Sequence, residues 1–483
     1  MLATVGRRVS SLLVAVSVAV ALNSALALSS FAGAQAPTSA ATGRSAFPSD
    51  SAILALLRQR VGEKRSAGIV VGLMEPNGKT RILAFGDPGP GQPPLDGNSV
   101  FEIGSISKVF TATVLAELVQ EGKVKLDDPV QRYLPGTVHV PTRNEKQITL
   151  GNLSEQNSGL PRMPGNFHPK DPSNPYADYT VQQMYDFISS YQLTRDPGEK
   201  FEYSNLGVGL LGHTLSLITG QSYEQMERTR VWAPLGMTGT AITLTPWMRE
   251  HLALGHDEAG NVAANWDLPT LAGAGAIRST TIDMLKFVDA NLHPERGALE
   301  RAMAVAHQER NPIGPGTSIG LNWMVQHAGA DTIVWHNGGT GGYRTFVGIE
   351  PGRKTGVVIM TNTTGAGADD IGLHLLDPSL PLAPKPAPVK QRTAIELPAS
   401  VLARYVGVYQ FAPTFSIETT LDGAALYGQP TGQDKFRLWP ETETEFFLRE
   451  VDAQVTFVHD AQGTVTGMVL HQGGQAQTGT KVK

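Results

Sequence analysis

Five prolines fall between Pro378 and Pro388, and no other stretch restricts the fold as much. Proline fixes φ and has no N–H to donate, so such a run continues neither a helix nor a central strand and reads as a stiff, extended linker. It separates two parts of different periodicity. Beyond it, Phe415, Ile417 and Thr419 alternate with polar residues before Asp422-Gly423. Val455 and Phe457 then lead to the turn Asp460–Gly463, and Val465–Leu470 follows. Short strands and turns of this kind predict a small all-β unit, a barrel or sandwich, over residues 394–483.

The part before the linker mixes both periods. Asp50 to Lys64 reads as a helix, with Ile53, Leu56, Leu57 and Val61 on one stripe. Ile69–Leu73 and Thr80–Phe85 are apolar runs joined across Pro76-Asn77-Gly78, a hairpin signal because Asn-Gly tolerates positive φ. From Ser105 to Gln120 the residues Ile106, Val109, Phe110, Val114 and Leu118 recur at helical spacing, and Gly122 is a stop. Val208–Ile218 is a further helix. The apolar runs Thr332–Trp335, Thr345–Ile349 and Gly356–Met360 close the unit, the last two joined at Pro351-Gly352. Strands thus open and close it and helices fill its middle. The expected fold class is α/β (α+β): one antiparallel sheet flanked by helices over residues 49–376, its edges drawn from both chain ends, with residues 377–393 as the linker to the all-β unit.

Arg7 and Arg8 precede a mostly apolar stretch from Leu12 to about Leu28, and Ala32-Gly33-Ala34 follows with the small-x-small pattern of a cleavage site. Residues 1–34 therefore read as a signal peptide and 35–48 as the linker at the mature end, and the protein is expected to be exported, periplasmic or secreted. The paired arginines hint at the twin-arginine route. The alternative is an uncleaved anchor, for which the apolar stretch sits at the short end. No later run is apolar enough for a span after cleavage. Net charge is -5, with no block of one sign, which gives no reason to expect a nucleic-acid partner. The absence of cysteine excludes disulfides, thiolate metal sites and a cysteine nucleophile.

Three short patterns carry possible chemistry. In Ser105-Ile106-Ser107-Lys108 the first and last residues share a helix face, and a lysine in a dry pocket is able to take the proton of a serine. Alone, Ser-x-x-Lys is also what a capped helix with a solvated lysine looks like. In Pro197-Gly198-Glu199-Lys200-Phe201-Glu202-Tyr203-Ser204-Asn205, Tyr203 offers a base where cations favour its phenolate, and Asn205 offers a donor and an acceptor. The bland reading makes Asn205 a helix cap and Tyr203 a core residue. In His336-Asn337-Gly338-Gly339, at the end of the run Ile333-Val334-Trp335, a polar side chain on a strand edge is followed by glycines that admit a substrate backbone. There the N–H of Gly339 pairs with that of Ser105 as an oxyanion hole, unless the segment is only a glycine-rich hairpin.

In order and context these resemble the Ser-x-x-Lys, Tyr-x-Asn and Lys/His-Thr-Gly elements of class C β-lactamases and D-alanyl-D-alanine peptidases. Further runs are similar to the family's: Phe101-Glu102-Ile103-Gly104, Lys125-Leu126-Asp127-Asp128-Pro129-Val130, Ser158-Gly159-Leu160, Pro234-Leu235-Gly236-Met237 and Glu350-Pro351-Gly352. The likeness covers roughly Ser49 to Thr363, and Tyr405-Val406-Gly407-Val408-Tyr409 looks like the start of a lipocalin-like domain carried by some relatives. The resemblance implies a β-lactamase/transpeptidase-like sheet and an acyl-enzyme on Ser105. It has Lys108 assist deprotonation of Ser105, makes Tyr203 the base toward the serine and then toward the deacylating water, and makes Asn205, His336, Asn337 and Gly338 substrate-binding residues. It implies no cofactor or metal, and a small-molecule or short-peptide substrate: a β-lactam, a D-amino peptide or a small ester or amide. His-Asn-Gly replaces Lys-Thr-Gly, and an unperturbed histidine, with a pKa of about 6.5, is mostly neutral at pH 7.

Three other readings compete. A β-lactam sensor would be acylated without turnover. Gly316-Thr317-Ser318-Ile319-Gly320, with Asp331 and His336 later, matches the nucleophile elbow of an α/β-hydrolase esterase using Ser318, but an elbow needs a strand before it and a helix after it. Leu321-Asn322-Trp323-Met324 reads instead as strand. His251, His256 and Asp257 suggest a metal, yet no third ligand is indicated at suitable spacing.

Overall fold

The computed structural model describes residues 45–328, 331–365, 367–385, 392–412, 415–431, 435–448, 453–472 and 475–483. The expected signal peptide, most of the 35–48 linker and the centre of the proline-rich stretch lie outside them. Of that first linker, Phe47 is buried, and Ser45 Oγ hydrogen-bonds Glu75 Oε1 at 2.6 Å.

An eight-stranded antiparallel sheet organises residues 45–385. Its strands are β1 (Gly68–Met74), β2 (Thr80–Gly86), β3 (Asn311–Gly314), β4 (Thr317–Ile319), β5 (Met324–Ala328), β6 (Asp331–Gly339), β7 (Arg344–Glu350) and β8 (Thr355–Thr361), in the spatial order β2-β1-β8-β7-β6-β5-β4-β3. The two ends of the unit meet inside the sheet, where Ile69 pairs with Thr361. The edges are therefore β2 and β3, and only one of them comes from a chain end. Ser318 lies in β4 between two strand partners, Pro312 and Val325, so its neighbourhood is a hairpin and not an elbow. Strand pairing begins at Met324; Leu321 and Asn322 form a bend.

Every residue of β1 and β8 is buried, because both faces are covered. On one face Val70, Met74, Val358 and Met360 join a large core with α2 (Ser107–Gln120) and α5 (Thr281–Asn291). On the other Ile69, Val71, Leu73, Val357 and Ile359 pack on α1 (Asp50–Gly62) and α6 (Asp369–Leu376). The helix α2 is buried almost all round, Thr111, Ala112, Thr113 and Ala116 included. It is a central helix, which is why its apolar positions run beyond a single stripe. Phe110 stacks on Phe287 with ring centroids 4.1 Å apart.

The C-terminal unit is a closed barrel of eight strands, β9 (Gly407–Ala412), β10 (Phe415–Asp422), β11 (Ala425–Pro430), β12 (Phe436–Pro440), β13 (Glu445–Phe447), β14 (Ala453–His459), β15 (Val465–Gln472) and β16 (Gln475–Lys481). Tyr409 pairs with Lys481 to close it, which removes the free edges of an open sheet. Tyr405, Tyr409, Ile417, Leu426, Leu438, Phe446, Phe457 and Met468 fill one core. That core shares no residue with the cores of the sheet unit. A chain ended at Lys385 is accordingly expected to unfold cooperatively by circular dichroism. A soluble but molten product would show that the barrel completes the larger unit's core.

Candidate active site

The turn that carries Ser105 is braced from behind. Val100–Glu102 pairs with Arg278–Thr280, and the buried Glu102 Oε1 accepts from Trp266 N at 2.8 Å, Asn265 Nδ2 at 3.0 Å and Arg278 Nη2 at 3.2 Å. Gly104 then takes φ +51, and a Cβ there would lie 2.6 Å from Gly339 N. The chain winds through one 3-10 turn, Gly104–Ile106, into α2.

Lys108, one turn on, is wholly buried. Its Nζ lies 3.0 Å from Ser105 Oγ, 2.9 Å from Asn205 Oδ1 and 2.6 Å from the carbonyl of Ala274 in α4 (Ala272–Gly275). Burial, and then repulsion from Arg162, hold its ammonium well below the ordinary lysine range. Donor counting gives the consequence. A neutral amine has two N–H groups, and Asn205 Oδ1 and the Ala274 carbonyl can only accept. In that neutral form the lone pair is left facing the Ser105 hydroxyl.

Tyr203 and Asn205 come from the start of α3 (Asn205–Thr219). Asn205 is not the cap: Ser204 is, its Oγ accepting from Gly207 N at 2.8 Å and donating to the Pro161 carbonyl at 2.6 Å. The side chain of Asn205 is thereby freed to face Lys108 from the first helical position. Tyr203 is half-buried and hydrogen-bonded to Ser105, and burial pushes its phenol up to about 12. Lys108 Nζ lies 4.8 Å from its ring centroid, Arg162 Cζ 5.1 Å, and the His336 ring 6.3 Å.

On β6, the partner strand β5 ends its pairing at Trp335, so His336 to Gly339 pair with β7 alone. His336 is 1% exposed, and its Nδ1 donates to the Asn337 carbonyl at 2.5 Å. Burial and the nearby Lys108 push its imidazole down to about 3, so the side chain is neutral far below the expected midpoint. Asn337 departs from expectation. Strand alternation turns it to the opposite face, where Nδ2 donates to Asp369 Oδ2 at 2.5 Å, and it does not face the Ser105 side. Gly338 has no room for a side chain: a Cβ would come 1.9 Å from the Ile103 carbonyl, which Thr345 Oγ1 also bonds at 2.9 Å. The Gly339 amide lies against the Gly104–Ser105 turn.

Ser105, Lys108, Tyr203, Asn205, His336, Gly338 and Gly339 thus converge. The half-buried Ser318 hydrogen-bonds Glu309. His256 Nδ1 lies 3.0 Å from the Asn362 carbonyl, His251 Nδ1 2.8 Å from that of Trp247, and Asp257 ties its own loop at Ala259 and Asn261. Sequence reading missed three participants. Arg162 follows directly on Ser158-Gly159-Leu160-Pro161 and so was within reach. The Ala274 carbonyl and the Glu102–Arg278 brace have no local signature, because tertiary packing alone brings them in.

The chain matches the family described as Beta-lactamase over residues 53–377 and a domain of unknown function (DUF3471) over residues 391–481. It is 29% identical over 303 residues to the D-alanyl-D-alanine-carboxypeptidase/endopeptidase AmpH of Escherichia coli K12, covering 59% of this chain and 77% of that protein. It is 27% identical over 414 residues to penicillin-binding protein 4* of Bacillus subtilis, covering 81% of this chain and 89% of that one. Among solved structures, the β-lactamase/D-alanine carboxypeptidase of Yersinia pestis with citrate superposes with a TM-score of 0.57 at 27% identity, over 65% of this chain and 92% of that one.

Because His336 is pushed down to about 3, its ring resonances are expected to stay fixed between about pH 5 and 8 while exposed imidazoles shift. Proton–nitrogen NMR, with assignment by His336→Gln, measures this. A midpoint near ~6.5 for His336 would mean that the ring is solvated.

Proposed function

The chain belongs to the β-lactamase family and is a serine hydrolase, and from that premise we propose that it forms an acyl-enzyme on Ser105 and that Lys108 is the base for acylation. The observation that carries the reading is the Lys108 amine, wholly buried, 3.0 Å from Ser105 Oγ, with Asn205 Oδ1 and the Ala274 carbonyl placed to accept from it. The Ser105 proton passes to Lys108 as Oγ attacks the substrate carbonyl. The N–H groups of Ser105 and Gly339 receive the oxyanion. Tyr203, which the family resemblance makes the base, is pushed up to about 12 by burial and acts here as the acid: it gives its proton to the leaving group and regains one from the Lys108 ammonium. Deacylation runs the relay in reverse: Tyr203 passes its proton to Lys108 and takes one from the attacking water, and the Lys108 ammonium returns a proton to Ser105 Oγ as the ester bond breaks. Asn205 and the unpaired edge of β6 hold the substrate's amide, and the neutral His336 offers Nε2 as an acceptor and no positive charge.

A neutral His336 in place of a lysine supports amide or ester substrates over recognition that depends on a carboxylate at this position. D-amino peptides and small esters are the favoured class, with penicillins acylating and leaving slowly. The relatives' names include a D-alanyl-D-alanine carboxypeptidase/endopeptidase and a penicillin-binding protein, in line with this. The basic, apolar, small-residue order of residues 1–34 supports an exported, periplasmic or secreted protein, and among the described residues no helix is long and apolar enough to cross a membrane.

Intact-mass spectra after exposure to penicillin or a phosphonate are expected to show one adduct on the parent and none on Ser105→Ala; an adduct that survives this change refutes the assignment. Lys108→Arg, which keeps the charge but cannot become neutral, should lower the acylation rate by about 10²–10⁴-fold. The base works deprotonated and its pKa is lowered, so kcat/KM should rise with pH through a midpoint well below the ordinary lysine value of about 10.4. A midpoint at the ordinary value would show that the buried amine is not the group that titrates.

A further inference from the structure

Four side chains that carry or can carry charge face the Tyr203 ring. Lys108 and His336 are buried, Tyr176 acts on it electrostatically, and Arg162 is exposed with its guanidinium 5.1 Å from the ring centroid. Ser105 hydrogen-bonds the phenol, and the neighbouring Glu202 is engaged by Arg195. Of these groups only an arginine keeps its charge at every pH at which an enzyme works. Arg162 has no ion-pair partner among the described residues, so its charge is not neutralised by the fold. Its structural contribution comes from the backbone: its carbonyl accepts from Asn205 N at 3.0 Å and Leu206 N at 3.2 Å, fixing the start of α3. A change of side chain leaves those bonds in place.

We propose that Arg162 is a positioning residue for the hydrolysis, acting through Tyr203: its guanidinium stabilises the negative charge that develops on the phenol oxygen when Tyr203 gives its proton to the leaving group. The inference rests on the acyl-enzyme reading above. In that step the Ser105 proton is held on Lys108, the Tyr203 O–H bond breaks as the leaving-group bond to hydrogen forms, and the phenol is restored by a proton from the Lys108 ammonium. Between those two transfers the phenolate is the only new anion besides the oxyanion. A fixed cation over its ring helps there and scarcely at all in the ground state, where the phenol is neutral; such help raises kcat and leaves KM alone. The same charge repels the Lys108 ammonium and so keeps the base unprotonated. A polar but neutral replacement therefore weakens both halves of the relay, in a direction fixed by sign.

The test uses the full mature chain, a neutral chromogenic ester and the variants Arg162→Gln, Arg162→Lys, Tyr203→Phe and the Arg162→Gln/Tyr203→Phe pair. Arg162→Gln should lower kcat about tenfold at pH 7 with KM within about twofold, and should move the kcat/KM midpoint to higher pH by about half a unit. Arg162→Lys should recover most of both. In the Tyr203→Phe background the Arg162 change should keep the shift of the midpoint, which comes from Lys108, but add little to the loss of kcat above that midpoint, because the phenolate it serves is gone. Unchanged kcat in Arg162→Gln, or full multiplication of the two losses in the pair, overturns the proposal. So does a loss confined to KM for an anionic ester, which would make Arg162 a contact of the substrate itself. Labelling of the parent at Ser105 by a phosphonate comes first: without it the acyl-enzyme reading falls too, and with it a failed Arg162 test counts against Arg162 alone.

Discussion

Most of the site follows from putting one lysine amine where water cannot reach it. Lys108 is wholly buried on a helix that is itself buried nearly all round, and no carboxylate sits among its hydrogen-bond partners. An ammonium there would be poorly solvated, so the neutral amine is the form the fold favours. Once it is neutral, the two acceptor-only neighbours settle which way the lone pair points. The chemistry of Ser105 is thus determined by packing around α2 as much as by the serine.

That burial has to be paid for in backbone geometry. Ser105 must reach the mouth of the site while Lys108, three residues on, stays inside. The positive φ of Gly104 and the 3-10 turn provide the change of direction. The strand opposite must come close enough to present the Gly339 amide, and here the missing side chains matter: Gly338 has the Ile103 carbonyl where its Cβ would be, and Gly104 has Gly339 N. The glycines of both motifs are one steric requirement seen from two sides. Glu102, buried with Arg278, anchors the strand that feeds this turn, and burial still pushes its carboxyl up despite the guanidinium.

Much of this was legible in the sequence because it depends on local spacing. The serine and lysine at i and i+3, the hairpin at Pro76-Asn77-Gly78 and the alternation after the prolines all encode their own geometry. The sheet's edges were misjudged because strand order is a long-range property: the pairing of Ile69 with Thr361 leaves no trace in either segment. Asn337 was misassigned for a different reason. The motif names adjacent residues, but a strand sends neighbours to opposite faces, and Asp369 of α6 was waiting on the far one. Asn205 was read as cap or site residue, and the cap proved to be Ser204. Burial itself was the least legible quantity, which is why a histidine expected to titrate near its ordinary value is held neutral.

The histidine at position 336 fits this electrostatic frame better than its departure from a lysine motif suggests. A lysine there would share a dry pocket with Lys108, and each ammonium would raise the cost of the other. Histidine loses its charge at little cost and still presents a defined hydrogen-bonding edge: with Nδ1–H committed to the Asn337 carbonyl, Nε2 remains an acceptor. The buried centre of the site then disfavours charge at rest: burial lowers the pKa of Lys108 and His336 and raises that of Tyr203. A fixed charge placed in this centre would resist burial, whereas a guanidinium at the exposed rim keeps its hydration and still acts on the groups within. Neutral interior and charged rim are therefore complementary solutions to one desolvation problem.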